Sequence, residues 1–101
     1  IKLLPGNKEN YCLLGFYYYE IKDYKKSIKY LLKADSIKEK TNNYINEEYA
    51  WNERVYDILS LCYFYIGDIK NSLKYVKLAV DINPNDERLK NNLEIILNVN
   101  K

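Results

Sequence analysis

Residues 11–34 read YCLLGFYYYEIKDYKKSIKYLLKA, and residues 56–79, which begin 45 positions later, read YDILSLCYFYIGDIKNSLKYVKLA. Ten of the 24 aligned positions are identical: Tyr11 and Tyr56, Leu14 and Leu59, Tyr18 and Tyr63, Ile21 and Ile66, Asp23 and Asp68, Lys25 and Lys70, Ser27 and Ser72, Lys29 and Lys74, Tyr30 and Tyr75, and Ala34 and Ala79. Self-similarity at a fixed period is the signature of a repeat protein, in which each unit buries its apolar face against the next unit.

A weaker third copy follows the second at a spacing of 34 residues. Its apolar positions match those of the second copy as Val55 with Leu89, Leu59 with Leu93, and Tyr63 with Leu97. This copy reads as a first helix with no second helix after it. The 45-residue spacing is then 34 residues plus an insertion of 11, which we place between residues 36 and 50.

Each full copy predicts two amphipathic helices, because its apolar residues recur three and four positions apart. In the first copy, Asn7 can cap the first helix, and a short turn over 21–24 leads into the second helix. In the second copy, Gly67 ends one helix and Asp68 caps the next, which ends at Ile82.

Two further features complete the helical pattern. The polar stretch 38–44 predicts a loop, and a long helix over 47–66 is predicted to follow it, with Trp51 in its early turns. Asn83 and Pro84 predict the start of the last helix, with proline at the first helical position, where its missing N–H costs nothing. The apolar and polar alternation of strands is absent, so the chain is predicted to be all-α.

The copies resemble the tetratricopeptide repeat, a 34-residue helical hairpin with small residues where its two helices approach closely. The resemblance implies a right-handed α-solenoid of about two and a half repeats and five helices. Serine stands at 60 where the family has glycine, and at 27 and 72 where it has alanine. The positions that the resemblance assigns to packing between helices are Tyr11, Leu14, Gly15, Tyr18, Ser27, Ala34, Tyr56, Leu59, Tyr63, Ser72, Ala79 and Pro84.

We predict a single domain over residues 1–101. It divides into a first repeat at 8–38, an insertion or loop at 38–46, a second repeat at 47–83 and a terminal capping helix at 84–98. Because the chain contains no Met, we expect it to be a fragment of a longer protein.

The second copy and its closing run, NPNDERLKNNL at 83–93, also resemble the C-terminal repeat region of bacterial family 2 glycosyltransferases. This resemblance implies an accessory domain that docks on a catalytic domain or positions an acceptor. The catalytic carboxylates of such an enzyme would lie outside this chain.

In the tetratricopeptide family, the first helix of each pair lines the concave face of the stack. The resemblance therefore implies an aromatic-lined groove that holds a protein or a peptide. The alternative is that these rings pack against neighbouring helices or against another domain of the parent protein. The groove positions that the resemblance implies are Cys12, Phe16, Tyr19, Glu20, Asp57, Leu61, Phe64 and Tyr65, with Arg54 and Arg88 near the rim.

The composition argues against catalysis and against several kinds of ligand. The 101 residues contain no His, so a Ser or Cys nucleophile would lack its usual base, and the usual zinc sites are excluded. Sixteen basic residues against 14 acidic ones give a net charge of +2, which predicts no strong polyanion partner. No apolar run approaches the ~18 residues of a membrane span. We therefore expect no enzyme activity, cofactor or metal in this chain, and no nucleic-acid or membrane partner.

The cysteines and lysines have structural interpretations. Cys12 and Cys62 do not make a disulfide framework, and we expect them to be small buried residues of a cytoplasmic protein. The lysines at 22, 25, 26, 29 and 33 follow helical spacing away from the apolar stripe, which is typical of a solvated face.

Self-association is a further possibility, because only the last helix caps the stack. We expect one stripe of this helix to face the stack and two residues, Ile95 and Val99, to lie outside it. Those two residues are available to a second copy or to a neighbouring domain. The stripe that is predicted to face the stack consists of Leu89, Leu93, Ile96 and Leu97.

Overall fold

The computed structural model describes residues 8–37 and 45–100, with side chains over 8–37 and 53–99. Within these ranges the chain forms five helices, named α1 (Lys8–Glu20), α2 (Tyr24–Ser36), α3 (Ile45–Tyr65), α4 (Ile69–Ile82) and α5 (Glu87–Asn100). Each helix packs against the next one along the chain, and α1 also contacts α3. The described backbone contains no strand, and the predicted all-α repeat fold is confirmed.

The first hairpin turns through a hydrogen-bonded C-terminal cap on α1. The amide of Asp23 donates to the carbonyl of Tyr18 at 2.8 Å, and the amide of Lys22 donates to that of Tyr19 at 2.9 Å. This pair of bonds defines a Schellman motif, which needs a left-handed residue. Lys22 is that residue, with φ of 65°. The carboxylate of Asp23 then caps α2 by accepting from the amide of Lys26 at 3.3 Å.

The second hairpin repeats this turn with a more favourable residue. The amide of Asp68 donates to the carbonyl of Tyr63 at 2.9 Å, and the amide of Gly67 donates to that of Phe64 at 3.1 Å. Gly67 holds the left-handed position with φ of 89°, where it carries no Cβ penalty. Asp68 caps α4 by accepting from the amide of Asn71 at 3.2 Å. The predicted stop at Gly67 and the predicted cap at Asp68 are both confirmed.

The long helix predicted over 47–66 is present as α3, which begins two residues earlier and ends one residue earlier. The predicted Asn7 cap and the predicted loop at 38–44 lie outside the described residues, as does the side chain of Trp51.

The prediction that Pro84 is the first residue of the last helix is wrong. Residues 84 and 85 form a turn instead, closed by the amide of Asp86 donating to the carbonyl of Asn83 at 3.2 Å. The carboxylate of Asp86 then accepts from the amides of Arg88 at 2.9 Å and Leu89 at 3.4 Å. An aspartate at this position satisfies amides at the start of the helix, which proline cannot do. The helix begins three residues later than predicted, and Pro84 is exposed rather than packed.

Serine hydroxyls join the two helices of each hairpin. Ser27 Oγ on α2 donates to the carbonyl of Gly15 on α1 at 2.7 Å, and Ser72 Oγ on α4 donates to the carbonyl of Ser60 on α3 at 2.8 Å. Both serines are fully buried. The serines that replace the family's alanine are therefore satisfied by a repeated hydrogen bond between the helices.

Beside these hydrogen bonds the two helices of each hairpin approach closely, and the two hairpins use different pairs of residues at this point. A Cβ built at Gly15 would overlap Cγ and Cδ2 of Leu31 on α2. At the same two positions, 45 residues later, the second hairpin has the larger Ser60 and the smaller Val76. Leu31 and Val76 are both fully buried. Each hairpin therefore fills the space between its two helices with a different pair of side-chain sizes.

The described core is continuous from the first hairpin into the second. It contains residues of all four hairpin helices. Its buried members are Cys12, Ile28, Leu31, Ala34, Val55, Ile58, Leu59, Cys62 and Tyr75.

Replacing Ser60 with alanine is expected to stabilise the fold by about 1 kcal/mol, since a buried hydroxyl without a partner costs about that much. Ser60 Oγ is buried and has no hydrogen-bond partner. Urea denaturation followed by helical circular dichroism measures the change. Ser36→Ala is the control, because its hydroxyl is exposed and its loss should change the free energy of unfolding by less than about 0.5 kcal/mol. Destabilisation by Ser60→Ala would show that the hydroxyl has a partner.

Candidate functional site

The residues predicted to contact a partner lie on α1 and α3, the first helices of the two hairpins, and on α5, which follows them as a further first helix. We call the surface formed by Phe16, Leu61 and Ile95, with their exposed neighbours on these three helices, the first-helix surface. Phe16 and Leu61 are half-buried and pack against the core. The guanidinium of Arg54 on α3 lies 4.7 Å from the ring centroid of Phe16 on α1. This cation–π contact places a positive charge over an apolar side chain at the junction of two repeats.

Two predicted groove residues are buried, and we correct their assignment. Cys12 is fully buried in the core, so a partner on the surface cannot reach its thiol. Asp57 is nearly buried, and its carboxylate is bound by the guanidinium of Arg88. The distances are 2.7 Å from Nη2 to Oδ2 and 3.3 Å from Nη1 to Oδ1. The two residues join α3 to α5, and the hydrogen bond to Asp57 raises the pKa of Arg88.

Four aromatic residues cluster where α1 and α3 end and α2 begins. Tyr24 lies between Tyr19 and Tyr65, with ring centroids 6.0 Å and 4.9 Å away. Phe64 meets Tyr65 edge to face at 6.0 Å. Burial raises the pKa of Tyr19, and the nearby Tyr65 raises it further. Tyr65 is exposed, whereas Tyr19 and Phe64 are half-buried, so these predicted groove residues all reach the surface to some degree.

The α5 helix extends the first-helix surface. Ile95 and Val99 are 53% and 50% exposed. They stand 34 residues after Leu61 and Tyr65, so they occupy equivalent repeat positions. From the sequence we predict that Ile95 and Val99 lie outside the stack, and they are not among the predicted groove residues. The 34-residue register that identified the third copy could have assigned them to the repeat positions of Leu61 and Tyr65.

Of the four residues predicted to form the stack-facing stripe of α5, three are at least half-buried and one is exposed. Leu89 and Ile96 are buried, and Leu93 is half-buried. Leu97 is exposed, because no second helix of the described chain packs on that side of α5.

In each hairpin, three tyrosine rings, here called a tyrosine triplet, stack across its two helices. Tyr30 stacks between Tyr11 and Tyr18, with ring centroids 6.4 Å and 5.5 Å away. The equivalent Tyr75 stacks between Tyr56 and Tyr63 at 5.9 Å and 5.7 Å. The role of the central ring was missed, although its identity in the two copies was a signal for it. These six rings stabilise the hairpins by stacking on one another.

Several tyrosines of the triplets have further polar contacts. The hydroxyl of Tyr56 donates to Asp35 Oδ1 at 2.8 Å, and burial together with this bond raises the pKa of Tyr56 to about 12. Lysines that we interpreted only as a solvated face also cover rings. The ammonium groups of Lys26, Lys29 and Lys33 lie 5.4–5.8 Å from the ring centroids of first-hairpin tyrosines.

Cys12 and Cys62 are both fully buried thiols, as predicted. Burial raises the pKa of Cys62 from 9.0 to about 11. In the native protein we expect both thiols to resist an aromatic disulfide reagent at neutral pH, and to react once the chain is unfolded in guanidinium. Rapid reaction of the native protein would contradict this burial.

The raised pKa of Cys62 also predicts how stability depends on pH. The folded chain holds this proton more tightly than the unfolded chain, so its contribution to stability is complete below pH 9.0. The contribution is lost as the pH rises through about 11. The free energy of unfolding, measured across this range, should fall less steeply in Cys62→Ala than in the unchanged chain.

Other kinds of site find no support in the described part of the chain. It contains no group of three His, Cys, Asp or Glu side chains placed to hold a metal ion. Among the helices described, none combines the length and the apolar character that crossing a bilayer requires.

Comparison with known families identifies the repeat. The sequence profile of the tetratricopeptide repeat matches residues 8–41 and 53–86, which together exceed half of the chain. The chain belongs to the tetratricopeptide repeat family. The two matches begin 45 residues apart, at the start of α1 and within α3. No curated protein matches the chain.

Tetratricopeptide repeats are typically non-catalytic and commonly mediate contacts between proteins. In this chain, α1 with α2 and α3 with α4 are the two complete tetratricopeptide hairpins, and α5 follows as a first helix. The link to glycosyltransferases finds no match among these comparisons.

Proposed function

We propose that this tetratricopeptide chain is a protein-interaction module that binds a peptide or a helix of a partner in a groove on its first-helix surface. The observation that carries the proposal is the row of Phe16, Leu61 and Ile95, which occupy one repeat position on three successive first helices. Phe16 and Leu61 are half-buried, and Ile95 is 53% exposed. An apolar row of this kind provides anchor points for alternate side chains of a bound segment.

A second row runs beside the first. Glu20, Tyr65 and Val99 occupy another equivalent position on the same three helices, and all three are exposed. Together with Arg54 above Phe16, they give the surface an apolar centre with charges at its edge, the usual anatomy of a protein interface. Since Cys12 and Asp57 are buried, the contact residues we propose are Phe16, Tyr19, Glu20, Arg54, Leu61, Phe64, Tyr65, Ile95 and Val99.

Selection from a displayed library of random 12-residue peptides tests the proposal. Selected peptides should bind Ile95→Glu or Tyr65→Ser at least tenfold more weakly than the unchanged chain, because these changes remove exposed anchors. Tyr17→Ser is the matched control, since Tyr17 is equally exposed on α1 but lies outside both rows. If no selected peptide distinguishes the row variants from the control, the groove proposal fails.

The second candidate function is an accessory domain of a bacterial family 2 glycosyltransferase. The similarity of residues 83–93 motivates it, and the burial pattern of α1 supports the docking of another domain. Leu13 and Tyr17 on α1 are 44% and 57% exposed. Their counterparts 45 residues later, Ile58 and Cys62, are 8% and 0% exposed. In the second repeat, these positions are covered by the preceding hairpin, so an upstream domain of the same protein would cover them in the first.

Reading the coding sequence upstream of this chain decides the second candidate. A nucleotide-sugar-binding fold with a metal-binding Asp pair would support it, and the absence of both would end it. We infer a cytoplasmic location for either function, because two buried thiols suit a reducing compartment.

A further inference from the structure

The hairpin turns form an open cavity of about 520 Å³ next to the first-helix surface. We call it the turn cavity. Two of its lining residues, Ile21 and Ile66, are exposed isoleucines at equivalent positions of the two repeats. The lining residues are Ile21, Lys22, Asp23, Tyr24, Lys25 and Ile66.

One of these residues has an unfavourable backbone conformation. Lys22 has φ of 65°, in the left-handed region, where a Cβ is disfavoured. The same turn in the second repeat has Gly67, with φ of 89°. Glycine therefore suits this turn, and the first repeat carries a lysine there at the expense of stability. Unfavourable backbone conformations of this kind concentrate at binding sites.

The side chains that line the turn cavity carry a net positive charge, with two lysines against one aspartate. Lys22 and Lys25 both line the cavity and both are exposed. Its one acidic residue, Asp23, accepts from the amide of Lys26 through Oδ1 and caps α2, and its negative charge offsets one of the two ammonium groups. The turn cavity therefore combines two ammonium groups with a lining of isoleucine and tyrosine.

We propose that the turn cavity binds an acidic, aliphatic segment of a protein partner. An aliphatic side chain of that segment packs between Ile21 and Ile66, and its carboxylates pair with the ammonium groups of Lys22 and Lys25. Complementary charge supplies orientation and association rate, and the apolar contact supplies affinity. None of these residues belongs to the two rows of the first-helix surface, so this site is distinct from the groove proposed above, which it adjoins where the ring of Tyr24 stacks on that of Tyr65 at 4.9 Å.

Three synthetic peptides of equal length test the chemistry of the partner. One alternates Leu with Glu, one alternates Leu with Lys, and one alternates Ser with Glu. Two-dimensional amide NMR on the whole chain should show residues 21–25 and 66 shifting with the Leu and Glu peptide alone. Equal shifts with the Ser and Glu peptide would overturn the proposed apolar contact, and the absence of any shift would overturn the site.

Two variants separate binding from folding, because each should bind less while folding at least as well. Lys22→Gly relieves the left-handed backbone, so the melting temperature should rise by a few degrees. Lys25→Glu places an acid in the first turn of α2, which favours the helix dipole. Each variant should weaken binding of the Leu and Glu peptide by roughly fivefold to tenfold. Unchanged binding in both variants would overturn the proposal.

Lys70→Glu is the matched control, because Lys70 occupies the position of Lys25 in the second repeat and lies outside the turn cavity. An equal loss of binding in Lys70→Glu would mean that the peptide responds to net charge alone, against the proposal. Sedimentation with vesicles of phosphatidylcholine and phosphatidylserine adds a second arm. Lysine-dependent binding to vesicles without binding to the peptide would assign the turn cavity to a membrane surface and overturn a protein partner.

Discussion

Replacing Gly15 with serine is expected to lower the free energy of unfolding by about 1–3 kcal/mol, the usual result of overpacking a core. A Cβ at this position overlaps Cγ and Cδ2 of Leu31, which is fully buried and cannot swing into solvent. The two helices of the first hairpin would have to separate, which would lengthen the hydrogen bond from Ser27 Oγ to the carbonyl of Gly15. Serine is a better helix former than glycine, so a loss of stability identifies packing as the cause.

Leu31→Val should restore much of this loss, because the second hairpin already pairs Ser60 with Val76 at the same two positions. Urea denaturation of the two single variants and the double variant gives the coupling energy, which we expect to be about 1 kcal/mol or more in favour of the double variant. Gly67→Ser is the control. It is destabilising through its φ of 89°, with no neighbouring atom within 4 Å, and should not couple to Leu31→Val. An additive result for Gly15→Ser and Leu31→Val would contradict the proposed compensation of volumes.

The fold could be predicted from the sequence because its determinants are local and occur twice. The cap at Asp68 and the stop at Gly67 each depend on residues within a few positions of one another. The start of α5 was misplaced because Pro84 and Asp86 compete to begin a helix two residues apart. The sequence pattern alone does not show which of the two residues starts the helix. The structure shows that it is Asp86, because only its carboxylate can accept hydrogen bonds from the amides of Arg88 and Leu89.

The candidate site was less predictable because it depends on distances between repeats. Cys12 and Phe16 are one helical turn apart on α1, yet the first is fully buried and the second reaches the surface. Family positions assign both to the groove. The depth of each depends on how α3 packs beside α1, and that is determined by contacts such as Arg54 over Phe16, which are distant in sequence.

Arg88→Ala is expected to destabilise the chain by about 1–2 kcal/mol and to loosen α5 before the rest of the fold. The Asp57 side chain is only 11% exposed, so without its two hydrogen bonds it leaves a poorly hydrated carboxylate against the core. Arg88 itself is 54% exposed, which places the cost between that of an exposed pair and that of a buried one. Native-state amide exchange should show faster exchange over 89–99 than over the α3 amides.

A double-mutant cycle separates this pair from its surroundings. Asp57→Ala in the Arg88→Ala background should cost less than Asp57→Ala alone, because the carboxylate that needed a partner is then absent. Lys90→Ala is the control, since its ammonium lies 3.7 Å from a carboxylate oxygen of Glu87 and both side chains are largely exposed. Lys90→Ala should change the free energy of unfolding by less than about 0.5 kcal/mol. If Arg88→Ala has an equally small effect, the pair of Arg88 and Asp57 contributes no more to stability than an exposed ion pair.

The Arg88→Ala variant also links the stability of α5 to the proposed groove. Ile95 is the most exposed member of the apolar row, and it is presented by α5, which packs mainly against α4 and is joined to α3 through Arg88 and Asp57. If α5 opens in Arg88→Ala, peptides selected on the first-helix surface should lose affinity although no contact residue has changed. Peptides that bind the turn cavity should not, because the cavity is lined by residues 21–25 and 66. Loss of one affinity without the other would show that the two surfaces are independent, and that the salt bridge to α5 supports only the groove.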